Sequence, residues 1–235
     1  MGFLDFLSGG SDERARKRHA ARVANKRAQA PDRWDSIKAL GEMKSSAAVE
    51  ALLVRFTFKV DPSITDQEEK DATYQAILGA GDAAVPPIVA FLRTADSVAW
   101  PMKLLQRLVP DEKIVELLVD TLSDMDTEYE RDPQKKIQVL AELAERKDPR
   151  IRPAVERFLE DINETARFHA VSAVFTQEDA EASRAPITRV LVEDESNRIR
   201  ARILDGFIAQ GWTLDESAQG VKSKLPTGYA VNEAG

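Results

Sequence analysis

The chain contains no cysteine, which excludes disulfides, cysteine-ligated zinc and thiol nucleophiles together. That absence fits a reducing compartment, and a cytoplasmic protein is expected. Histidine is nearly missing as well: only His19 and His169 occur, too few and too far apart for a histidine-rich metal site. Aromatic residues make up 6% of the chain and alternating β-branched runs are absent, so sheet content is expected to be close to nil. No apolar run approaches the roughly 18 residues of a membrane span, and Met1 to Gly10 is too short and too acidic for a secretory signal. Neither a G-x-x-x-x-G-K phosphate loop nor a G-x-S-x-G nucleophile turn occurs. No catalytic residue, cofactor or metal is assigned on these grounds, and a non-enzymatic protein is expected.

What is present is the balance of a soluble globular protein: 235 residues, 43% hydrophobic and 31% charged, enough to bury a sizeable core. The net charge of −7 argues against a whole-surface nucleic-acid binder. It is also unevenly distributed. Arg14, Arg16, Lys17, Arg18, Arg22, Lys26 and Arg27 against three acids give residues 1–30 a charge of +4, which leaves −11 for the remainder. Before this basic run, Phe3, Leu4, Phe6 and Leu7 fall at i, i+1, i+3 and i+4 and are followed by Gly9 and Gly10. The sequence therefore predicts an apolar plug on a flexible joint and then a charged helix from Ser11 to Ala30, capped by Ser11 and stopped by Pro31. This N-terminal part (1–31) is a candidate second contact, with a partner protein or weakly with an anionic membrane.

From Asp32 onward two short signatures recur. The first reads Ile37-Lys38-Ala39-Leu40, and returns at Tyr74, Met102, Ile137, Phe168 and Ala201, at intervals of 28 to 37 residues. The second reads AVEALL from Ala48, and returns as PIVAFL from Pro87, IVELLV from Ile114, AVERFL from Ala154 and PITRVL from Pro186. Apolar residues in each recur at helical spacing, so each signature predicts one amphipathic helix that cannot bury its stripe alone. In the clearest copy, residues 164–207, Ala166, Ala170, Val171, Ala173 and Val174 form the apolar face of one helix, and Asp194 and Ser196 stand where the next is capped. A sixth second helix would fall near Ala218, where AQGVKSKLPTGY is too polar and glycine-rich. The expectation is an all-α, α-α superhelix of about five to six hairpins over residues 32–212, closed by a C-terminal cap or tail over 213–235.

A period near 33 residues with two helices fits tetratricopeptide, ankyrin and HEAT or armadillo arrays. The ankyrin and tetratricopeptide landmarks are absent. Asp161 to Val171 (DINETARFHAV), Asp194 to Ala201 (DESNRIRA) and Pro149 to Leu159 (PRIRPAVERFL) resemble the HEAT pattern: an Asp-bearing turn, an early Arg, small apolar residues behind it, and a second helix ending in Leu. The first three copies depart from it, through Trp100-Pro101 in place of the Arg and through an insert from Val60 to Asp71. The resemblance implies a HEAT-like α-solenoid with second helices lining a concave face, and an adaptor or scaffold that binds a protein or peptide. It also brings an alternative, a HEAT-like enzyme, either a lyase attaching tetrapyrrole chromophores or a DNA glycosylase; a third reading, a membrane-peripheral scaffold, rests on docking by residues 1–30. A glycosylase groove should be basic, which the −11 of residues 31–235 opposes.

Stacked repeats would align two rows of candidate partner-binding residues. One consists of Glu50, Glu116 and Glu156 on second helices, an acidic groove suited to a basic partner. The other consists of Lys38, Gln75, Lys103, Gln138, His169 and Arg202 on first helices, always polar and never acidic. Asp161, Arg167, Asp194 and Arg200 are expected to cap helices and pair between repeats. Asp124, Asp126, Glu128 and Glu130 alternate like a calcium loop but lack its glycine and its final glutamate, where Tyr129 and Lys135 stand, and are expected to form a solvated linker. Trp34, Trp100 and Trp212 are expected to pack, not to stack on a ligand.

Overall fold

The computed structural model describes residues 3–214 and 216–232, with side chains over 11–214 and 220–232. Among them there is no strand. Twelve α-helices run in order: α1 (Phe3–Val23), α2 (Ala30–Met43), α3 (Ser46–Leu53), α4 (Ser63–Leu78), α5 (Val85–Thr94), α6 (Ala99–Leu108), α7 (Asp111–Ser123), α8 (Gln134–Ala144), α9 (Ile151–Val155), α10 (Glu164–Thr176), α11 (Arg184–Glu193) and α12 (Asn197–Gln210). Five 3₁₀ helices supplement them, so the helical elements outnumber those of five to six hairpins. Among the described residues no single helix is long and apolar enough to cross a membrane.

Every first-helix signature lies on an even-numbered helix from α2 to α12; second-helix signatures lie on α3, α5, α7 and α11, while the one from Ala154 begins at the end of α9 and continues on the 3₁₀ helix Glu156–Glu160. Local chemistry sets the boundaries. The Ser45 hydroxyl accepts the Ala48 N–H at 3.3 Å to open α3, Asn163 accepts those of Thr165 and Ala166 to open α10, and Ser196 accepts that of Ile199 at 3.3 Å to open α12. Pro31 stands in the first turn of α2, where a missing N–H costs nothing. Gly211 closes α12 in the left-handed region, with φ of 67°.

The chain divides into two compact units, Met1–Asp111 and Glu112–Gly235. In the first, α2 packs on α4 and α4 on α6, while α3 packs on α5; α1 covers α2 and α3. In the second, α8, α10 and α12 lie side by side, and the 3₁₀ helix Glu156–Glu160, α11 and the 3₁₀ helix Glu216–Ser223 form the other layer. Each unit is thus two layers of helices around an aliphatic core, an arrangement compatible with a helical repeat. The core residues are those of the signatures: Ile37, Leu40, Leu52, Ile77, Ile88 and Leu92 in one unit, and Leu118, Leu140, Val155, Val171, Ile187 and Ile203 in the other.

Three boundaries differ from expectation. The first helix starts at Phe3 and runs through Gly9 and Gly10, so its backbone has no joint there and Ser11 is inside it, not a cap. It ends at Val23 instead of Ala30, because a turn at Asn25 to Ala28 lets α2 begin at Ala30. The Val60–Asp71 insert is mostly additional helix, since α4 already begins at Ser63. The side chains of Phe3, Leu4, Phe6 and Leu7 lie outside the described residues.

Candidate functional site

The three glutamates of the proposed acidic row have different fates. Glu116 is paired with Lys113 on its own helix. Glu156 accepts from Arg152 at 3.0 Å and from the Ser183 hydroxyl, so it is consumed between α9 and α11. Glu50 alone of the three is exposed without a partner among the described residues, and it stands on the wall of a groove between α3 and α5. That groove encloses about 700 Å³ and is lined by Ala47, Leu53, Val54, Pro86, Pro87, Ala90 and Phe91, with Ser46, Glu50 and Thr94 as its polar groups. The Ser46 hydroxyl donates to the Ala83 carbonyl at 2.7 Å, which fixes the spacing of the two walls. Sequence reasoning found Glu50 but missed the apolar floor. Its signal was the pair Pro86-Pro87 beside Ala90, which keeps the facing surface of α5 low and free of charge.

The row on the first helices also divides by environment. In the first unit Lys38, Gln75 and Lys103 are exposed. The Lys103 ammonium lies over both Tyr74 and Trp100, 4.8 and 4.7 Å from their ring centres, and Lys38 lies 6.0 Å over Trp34. In the second unit Gln138, His169 and Arg202 are half-buried. Arg202 donates to Ser172 at 3.0 Å and covers the Phe175 ring, tying α12 to α10. Burial and then the Arg198 guanidinium lower the pKa of His169, against a weaker pull from Glu145. Its ring stands edge-on to Phe168, onto which Arg198 stacks at 3.8 Å. His169 and Arg202 thus serve helix packing, which sets the row's environment in this unit apart from that in the first.

Several charged side chains of the second unit are spent internally. Arg167 pairs with Asp194 at 2.7 Å, 27 residues along the chain, and Arg152 with Asp179 at 2.6 Å. Asp161 and Asp194 accept the N–H groups of Asn163 and Ser196, as helix-entry caps. Arg200 is buried and, among the described residues, bonds Asn197 at 3.3 Å with its Nε unpartnered. In the acidic loop Asp124, Asp126 and Glu128 are exposed, as expected of a solvated linker, and Glu130 is half-buried. The loop folds around Lys136, whose ammonium is 1% exposed, donates to the Asp126 carbonyl at 3.0 Å, and lies 2.8 Å from Asp161 and 3.5 Å from Glu130. Among the described residues no three His, Asp or Glu side chains converge as metal ligands.

A second buried cluster, not anticipated, secures the insert of the first unit. Glu69, 1% exposed, receives Arg33 through both Nε and Nη2 and Arg55 through Nε at 2.7 Å. Arg55 continues to Asp66 at 2.7 Å and to the Phe58 carbonyl at 3.0 Å, and Lys70 also pairs with Asp66 at 2.7 Å. Burial raises the Asp66 pKa, but Lys70, Arg55 and the Val60 N–H together outweigh it and hold the carboxyl at about 2.

Trp100 and Trp212 pack on other rings, whereas Trp34 is half-buried with Lys38 over its ring. Trp100 stacks on Phe56 at 4.3 Å, and Trp212 leans on Phe207 and Phe175 at 5.2 and 5.6 Å. Trp212 also lines an apolar recess of about 270 Å³ on α12, with Leu204, Phe207 and Ile208 on one side and Leu225 and Tyr229 of the tail on the other. Tyr229 holds the tail in place by donating to Asp205 at 2.7 Å. On the basic segment, Arg14, Lys17, Arg18, Arg22, Lys26 and Arg27 are exposed and Arg16 is half-buried. With this geometry in hand, comparison with protein-family models, with curated proteins and with solved structures finds no match to the chain.

Proposed function

We propose that the chain is a non-enzymatic, HEAT-like helical-repeat adaptor that holds a segment of another protein in the groove between α3 and α5. The groove's composition carries this reading. An apolar floor of Leu53, Val54, Pro87 and Phe91 offers hydrophobic burial, and Glu50 on the wall gives a fixed negative charge. An extended or helical peptide with an apolar anchor beside a Lys or Arg matches both. The pairing of Arg152 with Asp179 and of Arg167 with Asp194 supports the same reading, because these charges serve packing between successive helices.

Selection of a random peptide library on the immobilised protein tests it. Enriched peptides should combine apolar and basic residues, and Glu50→Lys and Phe91→Asp should each weaken their binding by at least about tenfold, the loss of one charge-assisted contact or one buried anchor. Peptides that bind wild type and both variants equally would place the binding surface elsewhere and overturn the proposal.

A further inference from the structure

The exposed face of α1 is the second surface whose chemistry specifies a partner. Ala15, His19, Ala20 and Val23 turn towards the body of the unit: Val23 is fully buried, and His19 Nδ1 lies 3.2 Å from the Ser36 hydroxyl of α2. Because that hydroxyl donates to the Asp32 carbonyl at 2.8 Å, it accepts from His19, which fixes α1 rotationally on α2. Arg14, Arg18 and Arg22 point away from this contact at i, i+4 and i+8, a line of three guanidinium groups about 6 Å apart along the axis. All three are exposed and none forms an ion pair among the described residues. Of the acids beside them, Glu13 is taken by Lys17 at 2.9 Å and Arg16 at 3.7 Å, and Asp12 accepts from the Ser11 hydroxyl at 3.4 Å.

The α1 backbone continues unbroken to Phe3. In that helical register Phe3, Leu7, Arg14 and Arg18 stand at i, i+4, i+11 and i+15, one stripe whose N-terminal turns are apolar and whose C-terminal turns are basic. We propose that α1 is a membrane-surface anchor: it lies in the headgroup plane of an anionic bilayer, with Arg14, Arg18 and Arg22 on lipid phosphates and its apolar turns entering the acyl boundary. The apolar turns decide between this and a nucleic acid, whose phosphates would engage the arginines without any call for Phe3 and Leu7. The segregation of charge orients the molecule, since residues 1–30 carry +4 and the remainder −11, so the anionic surface attracts α1 and repels the rest. The adaptor function and this anchor are separable, because the groove lies on α3 and α5.

Flotation of the full chain with vesicles of phosphatidylcholine alone, or with one-third phosphatidylglycerol, tests the anchor. The protein should float with the anionic vesicles only and be released as salt is raised. Arg14→Glu/Arg18→Glu/Arg22→Glu should lower partitioning by roughly a hundredfold, the combined effect of three basic residues near a charged surface. Phe3→Ser/Leu7→Ser should also lower it, while circular dichroism shows both variants melting as wild type does. Failure of wild type to float with anionic vesicles at low salt overturns the proposal, as does flotation of the arginine variant at the wild-type level. Should either variant fail to fold, salt-insensitive flotation of wild type overturns it. Binding that duplex DNA competes away and that Phe3→Ser/Leu7→Ser leaves unchanged would assign the arginines to nucleic-acid phosphates instead.

Discussion

Lys136 shows how one side chain organises a segment that has little core of its own. Its ammonium is buried between Asp161 and the Asp126 carbonyl, so the loop before α8 and the turn before α10 share one charge. The Ile162 N–H donates to the Thr127 carbonyl at 3.0 Å, which joins the same two segments through the backbone. Lys136→Met keeps the aliphatic bulk and leaves the Asp161 carboxylate buried without its counter-ion. A loss of about 3–5 kcal/mol is expected in urea unfolding, the cost of an orphaned buried charge. Lys136→Met/Asp161→Asn should recover most of it, because the amide oxygen retains the cap on Asn163 without a net charge. If the single variant is as stable as wild type, the pair is not what holds the loop. These buried charges were legible in one respect that composition and motif matching pass over. Arg33 continues the buried stripe Ile37–Leu40, Arg55 continues Ala48–Leu52, Glu69 continues Thr73–Ile77, and Lys136 continues Leu140–Leu143, each at helical spacing. A charged residue in an apolar register position at the end of a helix must be paired or exposed, and the sequence does not say which. The partners lie 14 to 36 residues away and across an insert, where periodicity gives no distance information.

At the scale of the element, close approach of neighbouring first helices sets the layer. A Cβ placed on Gly41 of α2 would stand 2.8 Å from the Ala76 Cβ of α4, so this crossing exists only because position 41 has no side chain and position 76 a short one. Unlike a long side chain, the Ala76 methyl cannot swing aside, and any substitution must move a helix. Gly41→Val is expected to destabilise the chain by about 1–3 kcal/mol through overpacking, while Gly41→Ala is partly offset by a helix-propensity gain of about 1 kcal/mol. Chemical denaturation that ranks the two variants in the opposite order would contradict the close crossing. The elements themselves were readable because the apolar stripe that defines a helix in sequence is the one it buries in the fold, as Ala166, Ala170, Val171, Ala173 and Val174 show. What could not be read was which polar faces remain exposed once helices stack. Lys38 and Lys103 stay in solvent whereas His169 and Arg202 are covered, although all occupy the same position in their signatures. The difference comes from the neighbours: Arg198 lies over Phe168 beside His169, and Phe175 stacks beneath Arg202.

At the scale of the whole molecule, the ionic partners make stability depend on pH with a definite sign. Asp66 has a carboxyl lowered from 3.8 to about 2. Its folded pKa lies below the unfolded one, so its contribution is fully present above about pH 4 and is lost as pH falls towards 2. A shift of this size on a mostly buried group corresponds to about 2 kcal/mol. Asp148, lowered chiefly by its hydrogen bonds from Arg150, acts in the same direction. His19 and His169 add to it from higher pH: burial lowers both, so the unfolded chain takes up protons first as pH falls below about 6.5 and stability declines there too. All four groups therefore predict stability that falls as the solution is acidified from neutral pH, in two stages, the histidines acting below about pH 6.5 and the two carboxylates below about pH 4. Asp66→Asn should lower stability at pH 7, where Arg55 and Lys70 lose a charged partner, and should flatten the second stage while leaving the histidine stage intact. Urea melts of wild type and Asp66→Asn at pH 7, 5 and 2.5 measure both stages. An unchanged acid slope in the variant would mean that Asp66 titrates normally, and that the cluster around Glu69 holds the insert without it.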